Sequence, residues 1–185
     1  MKRLFFALLA VIAVEFSILR AAYSLFRVMI PYICGALTEL SDKEKDDVKK
    51  LYVDLANTVA EVLGQVRRPF VPHEHYDPEK AKHYTPFQVF VAEVFQVMFC
   101  TSRLIVVTRN PSWGGGMEVM MAIIAGVPVD LLCERGKLEK RLISRLVRGG
   151  PGVSIIEYED GNDEDAVIQY RGFLRRIVPQ QRIVA

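Results

Sequence analysis

Apolar positions along the chain fall into two alternating patterns. Short continuous runs, Ile30–Cys34, Pro69–Pro72, Leu104–Val107, Val127–Leu132 and Val153–Ile156, are separated by longer stretches with helical spacing. The clearest helical stretch carries Val48, Leu51, Tyr52, Leu55, Val59, Val62 and Leu63 at intervals of three and four, opens on Ser41-Asp42 and stops at Gly64. Further helices are predicted from near Pro86 to Phe99, from Val119 to Ala125 before Gly126, and from Asp163 to Ile177. A basic helix is predicted over Lys137–Val147, stopped by Gly149-Gly150-Pro151. His73–Pro78 reads as a polar loop after the second strand.

Fully apolar strands that alternate with helices belong to a parallel sheet covered on both faces. The expectation is therefore an α/β fold, a single Rossmann-like (flavodoxin-like) unit with a five-stranded parallel sheet. In such sheets ligands bind beyond the carboxyl ends of the strands. The turn after Tyr32, the His73 loop and the segment Pro111–Glu118 all sit at those ends.

The first 28 residues stand apart. Lys2 and Arg3 precede an apolar run, Leu4–Val14, which Glu15 and Arg20 then interrupt. A spanning helix needs about 20 apolar residues, so this run is too short to cross a bilayer without burying those charges. A membrane-associating helix, a signal-like segment, or an extension upstream of a start at Met29 are the readings open to it. The catalytic domain is placed at residues 29–180, and membrane contact is open only to residues 1–28.

Composition narrows the function. The 185 residues suit one domain, and a net charge of +2 gives no case for a nucleic-acid-binding surface. Cys34, Cys100 and Cys133 match neither a disulfide framework nor a metal spacing, which points to a reducing, cytoplasmic setting. His73, His75 and Asp77 lack a third strong ligand, so His73 reads as a substrate contact or a turn cap and no metal or cofactor is expected.

The segment Pro-Ser-Trp-Gly-Gly-Gly-Met-Glu, residues 111–118, carries the chemistry. A strand, a small-residue turn and a helix aim several backbone N–H groups at one point, a seat for phosphate. Gly114, Gly115 and Gly116 permit close backbone approach, and Ser112 adds a hydroxyl. Trp113 is open to stacking on a nucleobase or to a dimer contact. Glu118 places a carboxylate beside this cup, and Glu93 and Glu74 are candidates for a second acid.

Tyr32-Ile-Cys-Gly35, the 111–118 segment and Arg141–Gly149, taken in this order, resemble the nucleoside 2-deoxyribosyltransferase superfamily, nearest in pattern to the 2'-deoxynucleoside 5'-phosphate N-hydrolases. The resemblance covers roughly residues 30 to 175. It implies Glu118 as nucleophile, Tyr32 as its orienting partner, and Gly35, Ser112, Gly114 and Gly116 around the substrate. Ser144, beside Arg145, would reach the phosphate from the second subunit of a homodimer with shared sites. Ala36-Leu37-Thr38 stands where the hydrolases carry Ser-Ile-Arg, so Arg109, Arg141 or Arg145 would have to replace that arginine. The family's second carboxylate, an Asp, has no clean match; Glu93 lies nearest, at a shifted gap. The implied activity is hydrolysis or glycosyl transfer on a nucleoside or nucleoside 5'-monophosphate. The alternative is a nucleotide-sensing module of the same fold that has lost turnover.

Overall fold

The computed structural model describes residues 18–22, 29–37, 40–77, 82–110 and 112–178. The apolar run Leu4–Val14 and the residues Thr38, Pro78 and Pro111 lie outside the described residues.

Four parallel strands form one sheet in the order β1 (Ile30–Gly35), β2 (Thr101–Val107), β3 (Val129–Glu134) and β4 (Val153–Tyr158). The expected fifth strand, Pro69–Pro72, is reduced to a single parallel bridge between Phe70 and Tyr32 at the outer edge of β1. Phe70 N–H donates to the Pro31 carbonyl and the Phe70 carbonyl accepts from Ile33 N–H. Pro69 and Pro72 flank this exchange without donors of their own, so the ladder cannot extend. Including the bridge, the order is that of a doubly wound sheet, with the reversal of direction beside β1.

Strand alternation divides the core. Ile33, Ile105, Val107 and Leu132 pack on one face with the buried sides of α1 (Asp42–Leu63) and α6 (Asp163–Ile177). Tyr32, Cys34, Leu104, Val106 and Leu131 pack on the other with α4 (Trp113–Ile124) and the segment following α3 (Pro86–Phe95). A complete capping box at Ser41 and Glu44 starts α1. A second, at Thr85 and Gln88 with Pro86 in the first turn, starts α3.

Three further elements depart from the expected pattern. Pro72–Tyr76 is a short helix, α2, not a loop, because Pro72 occupies its first turn. α4 begins at Trp113 rather than Val119. Ser112 caps it by accepting from Gly115 N–H at 3.2 Å, which draws all three glycines into the first turns of the helix. The basic helix is not continuous. Residues 135–141 are turns, Arg141 adopts a left-handed φ of 57°, and only α5 (Arg145–Arg148) is helical. Leu142 and Leu146 are exposed, while Ile143 is buried.

Residues 18–22 form a helical turn whose Arg20 donates to the carbonyls of Ala125 (2.6 Å) and Thr101 (2.7 Å). No strand or core cluster includes a residue before Met29 among the described residues. A chain beginning at Met29 is expected to fold cooperatively without the two Arg20 bonds. At about 1–2 kcal/mol for partly exposed charge-assisted contacts, its melting temperature should fall by roughly 2–8 °C. Loss of a cooperative thermal transition would place the segment inside the core.

Candidate active site

The site forms because one helical stripe of α4 contains a carboxylate. Gly115, Glu118, Val119 and Ala122 are the buried residues of α4, at the i, i+3, i+4, i+7 spacing of a core face. Glu118 is therefore pressed against the sheet, with 7% of its surface exposed. Directly beneath it, β1 turns Tyr32 and Cys34 to the same face. Tyr32 Oη donates to Glu118 Oε1 at 2.5 Å, and the Cys34 thiol supplies a second hydrogen-bonding partner.

Burial pushes the Glu118 carboxyl up to about 7, with the nearby Glu93 charge adding to the rise and the Tyr32 and Cys34 contacts opposing it. Tyr32 is held above its ordinary value by burial and by the adjacent carboxylate, so it remains a donor. Glu93 is also raised by burial.

The other buried carboxylates have a different environment. Asp77 meets Lys49 at 2.8 Å, Asp130 meets Arg103 at 2.7 Å and also accepts from Tyr170, and Glu134 is paired with Lys137 and Arg109. Glu118 alone among the buried carboxylates of the described residues has no cation against it. A buried charge without a counterion costs several kcal/mol, and an arrangement that exists only to hold the fold would not retain it. Perturbed groups of this kind in a cleft mark functional sites.

Glu118 opens into a cavity of about 550 Å³ lined by β1, α1, α2, α3 and α4. Its wall contains Gly35, Ser112, Gly114, His73, Glu93 and Glu118 from the expected set. A neighbouring hollow of about 560 Å³ shares Glu93, Glu118 and Gly114 and adds Tyr84, Phe90, Met117 and Met121. Gly35 is sterically required. A Cβ there would stand 2.8 Å from the Val107 carbonyl oxygen and 2.1 Å from Tyr52 Oη.

Glu93 lies on the cavity wall near the end of α3, which a π-helical turn, Gln96–Cys100, joins to β2. Glu74, the other candidate acid, is instead paired with Arg68 through two bonds of 2.7 and 2.8 Å, lies off the cavity wall, and is held below the usual carboxylate range by that arginine.

Several expected residues lie elsewhere. Trp113 is 93% exposed, and Gly116, Ser144 and Arg145 do not line the cavity within one chain. Arg109 is engaged by Glu134 and Asp163. His73 packs on Tyr52 with ring centroids 5.8 Å apart, and His75 stacks on Phe70 at 4.4 Å. No group of three or more potential ligands is placed to hold a metal ion among the described residues. No helix among them is long and apolar enough to cross a membrane. Lys45, Lys49, Tyr52 and Asp77 are wall residues that the sequence reading missed. Their signal was present: positions 45, 49 and 52 share one face of α1, but lysines at a helix start read as solvated charge.

No family model matches the sequence, and no curated protein matches it. Among solved structures, the Clostridium botulinum CMP N-glycosidase BcmB shares the fold, with a TM-score of 0.52 and 19% identity over 77% of this chain and 98% of that one. A conserved protein from Enterococcus faecalis V583 gives a TM-score of 0.52 and 14% identity, covering 82% and 100% respectively.

The position of Glu118 makes a stability prediction with a definite sign. Its folded pKa lies above the unfolded value, so the native state binds more protons between about 4.5 and 7. Stability is then lost as pH rises through that window. Glu118→Gln removes the loss and should stabilise the fold by about 2–4 kcal/mol at pH 8, with a much smaller effect at pH 5. Denaturant melts at both pH values check this; a variant that is less stable at pH 8 would make Glu118 a structural residue.

Proposed function

We propose that the protein cleaves the N-glycosidic bond of a nucleoside or nucleoside 5'-monophosphate, with Glu118 as nucleophile. The observation that carries this reading is the buried carboxylate held by a phenol and a thiol rather than a cation, facing a cavity with a second carboxyl, Glu93, on its wall. The shared fold with a CMP N-glycosidase, and the resemblance of Tyr32–Gly35 and Ser112–Glu118 to the deoxyribosyltransferase superfamily, agree with it.

In this mechanism the Glu118 carboxylate attacks the anomeric carbon as the carbon–nitrogen bond breaks. The bonding pair leaves with the base, which takes a proton from the Glu93 carboxyl. Water or a second base then attacks the anomeric carbon, Glu93 accepts its proton, and Glu118 is released. Burial favours both roles. It concentrates the field of Glu118 on the developing positive charge, and it keeps Glu93 protonated to a higher pH than a surface carboxyl. Tyr32 orients Glu118 through a phenol that stays protonated, and so a donor, throughout the working range. A nucleotide-binding module without turnover would gain nothing from a carboxylate so placed, since it would repel a phosphorylated ligand.

A panel of nucleosides and 5'-monophosphates, with free base measured by chromatography, tests the activity, and an added second base separates transfer from hydrolysis. Glu118→Gln should lower turnover by about 10³-fold or more. The rate should climb with pH through about 7 as Glu118 ionises, and Tyr32→Phe should move that limb upward by about 1–2 pH units, the equivalent of one charge-assisted hydrogen bond. Unchanged turnover in Glu118→Gln removes the mechanism.

We also propose that two copies pair over the outer side of α4 and share their sites. Trp113, Met117, Met120 and Ile124 form an exposed apolar stripe along this helix. Exposed Leu142 and Leu146 flank Ser144 next to it. The stripe borders the hollow that opens onto Glu93 and Glu118 through Met117. Pairing there would bring the Ser144–Arg145 segment of one copy toward the cavity of the other. Sedimentation is expected to give a dimer, and Met117→Lys with Met120→Lys a folded monomer of reduced activity. A monomeric parent protein at working concentration rules the pairing out.

A further inference from the structure

We propose that Lys45 is the residue that binds the substrate's phosphate and selects a phosphorylated nucleoside over the free one. The inference rests on the glycosidase reading for the identity of the ligand, and on the cavity's charge distribution for the site. Lys45 and Lys49 are the lysine side chains on the main cavity wall, both from α1 and one turn apart. They are not equivalent. Lys49 is bound at 2.8 Å to Asp77, a carboxylate that is itself buried, so the charge of this pair is balanced within the protein. Lys45 contacts Asp42 at 3.5 Å, and Asp42 is 97% exposed in its side chain. A pair of that kind is worth little and exchanges readily with water. Lys45 is thus a cation on the wall whose charge is free to be redirected to a ligand.

The same cavity is lined by groups that suit an anion. Ser112, Gly114 and Gly115 line it at the start of the 12-residue α4, where helix geometry leaves the first N–H groups without intrahelical acceptors and the Ser112 side chain takes only that of Gly115. Gly35 and Leu37, which carry no acid, line the same cavity, whose acids are Asp77, paired with Lys49, and the two carboxyls assigned to the chemistry, Glu93 and Glu118. The arginines that sequence reasoning offered for this task are not available to it within the chain. Arg109 is tied to Glu134 and Asp163, and Arg141 and Arg145 lie off the wall. An ammonium and the Glu118 carboxylate on the wall of one cavity fit a ligand with an anionic end and an electrophilic carbon. A nucleoside 5'-phosphate has both, on opposite sides of its sugar.

The test compares Lys45→Gln with Lys50→Gln, an equal loss of charge on the same helix whose lysine pairs with Asp54 off this cavity. Calorimetric binding is measured to the common ribo- and deoxyribonucleosides and to their 5'-monophosphates, in the Glu118→Gln background so that no turnover interferes. Lys45→Gln should weaken the monophosphates by about 10–100-fold, the value of a charge-assisted contact, and change the nucleosides less than about 2-fold; Lys50→Gln should change neither. Equal weakening of both ligand classes, no effect on either, or no binding of any monophosphate by the parent overturns the proposal. Base release is scored separately with the Glu118 protein. Monophosphate binding that depends on Lys45 without any base release would refute the glycosidase reading and leave this assignment standing.

Discussion

The Tyr32–Glu118 hydrogen bond is the contact on which the site depends, and it imposes conditions on much of the fold. A carboxylate at a core position of α4 is tolerable only if something polar meets it from the sheet. The phenol of Tyr32 does so at 2.5 Å. For that to happen β1 must lie beside β2 in a register that puts Tyr32 opposite Leu104, and α4 must cross this face with Glu118 inward. Gly35 ends β1 where any side chain would strike the Val107 carbonyl. The turn that opens the cavity and the tyrosine that furnishes it are thus parts of one constraint.

Charge around that contact is unevenly matched. Asp77, Asp130 and Glu134 are buried and each is matched to a lysine or arginine, which makes them anchors between elements. Lys137 also donates to the Arg109 carbonyl at 2.5 Å, holding the chain that leads from β2 toward Ser112. Glu118 has been left with partners that can orient it but cannot neutralise it. Its stability penalty and the raised pKa of its carboxyl are the same electrostatic fact, burial without a counterion.

The two faces of the sheet contribute different materials to the cavity. α4 and the α3 segment bring the carboxylates, Glu118 and Glu93. α1, from the other face, brings Lys45, Lys49 and Tyr52 over the ends of the strands. α2 closes the side with His73, Tyr76 and Asp77. Opposite charges converge here because a parallel sheet delivers the starts of helices from both faces to the same edge.

Much of this was written in local pattern. Apolar runs and three-four spacing determined the alternating α/β order, the parallel sheet and the bounds of α1 and α6, because burial on one stripe or two faces is recorded directly in periodicity. The Ser112-to-Glu118 spacing likewise singled out Glu118, which lies buried on the cavity wall. Tertiary structure alone decided the rest, and for identifiable reasons. Pro69 and Pro72 limited the expected strand to the Phe70 bridge, which depends on where β1 lies. The left-handed Arg141 broke a helix whose composition favoured it. Which candidate acid reaches the cavity, Glu93 and not Glu74, depended on how α2 and α3 pack and on Arg68, which pairs with Glu74. Lys45 and Lys49 read as solvated charge in one dimension, since a lysine's role is set by which acids reach it, and Asp77, 28 residues beyond Lys49, becomes its neighbour only once the chain has folded. Periodicity encodes which residues are buried; the partner of a buried charge is a three-dimensional fact.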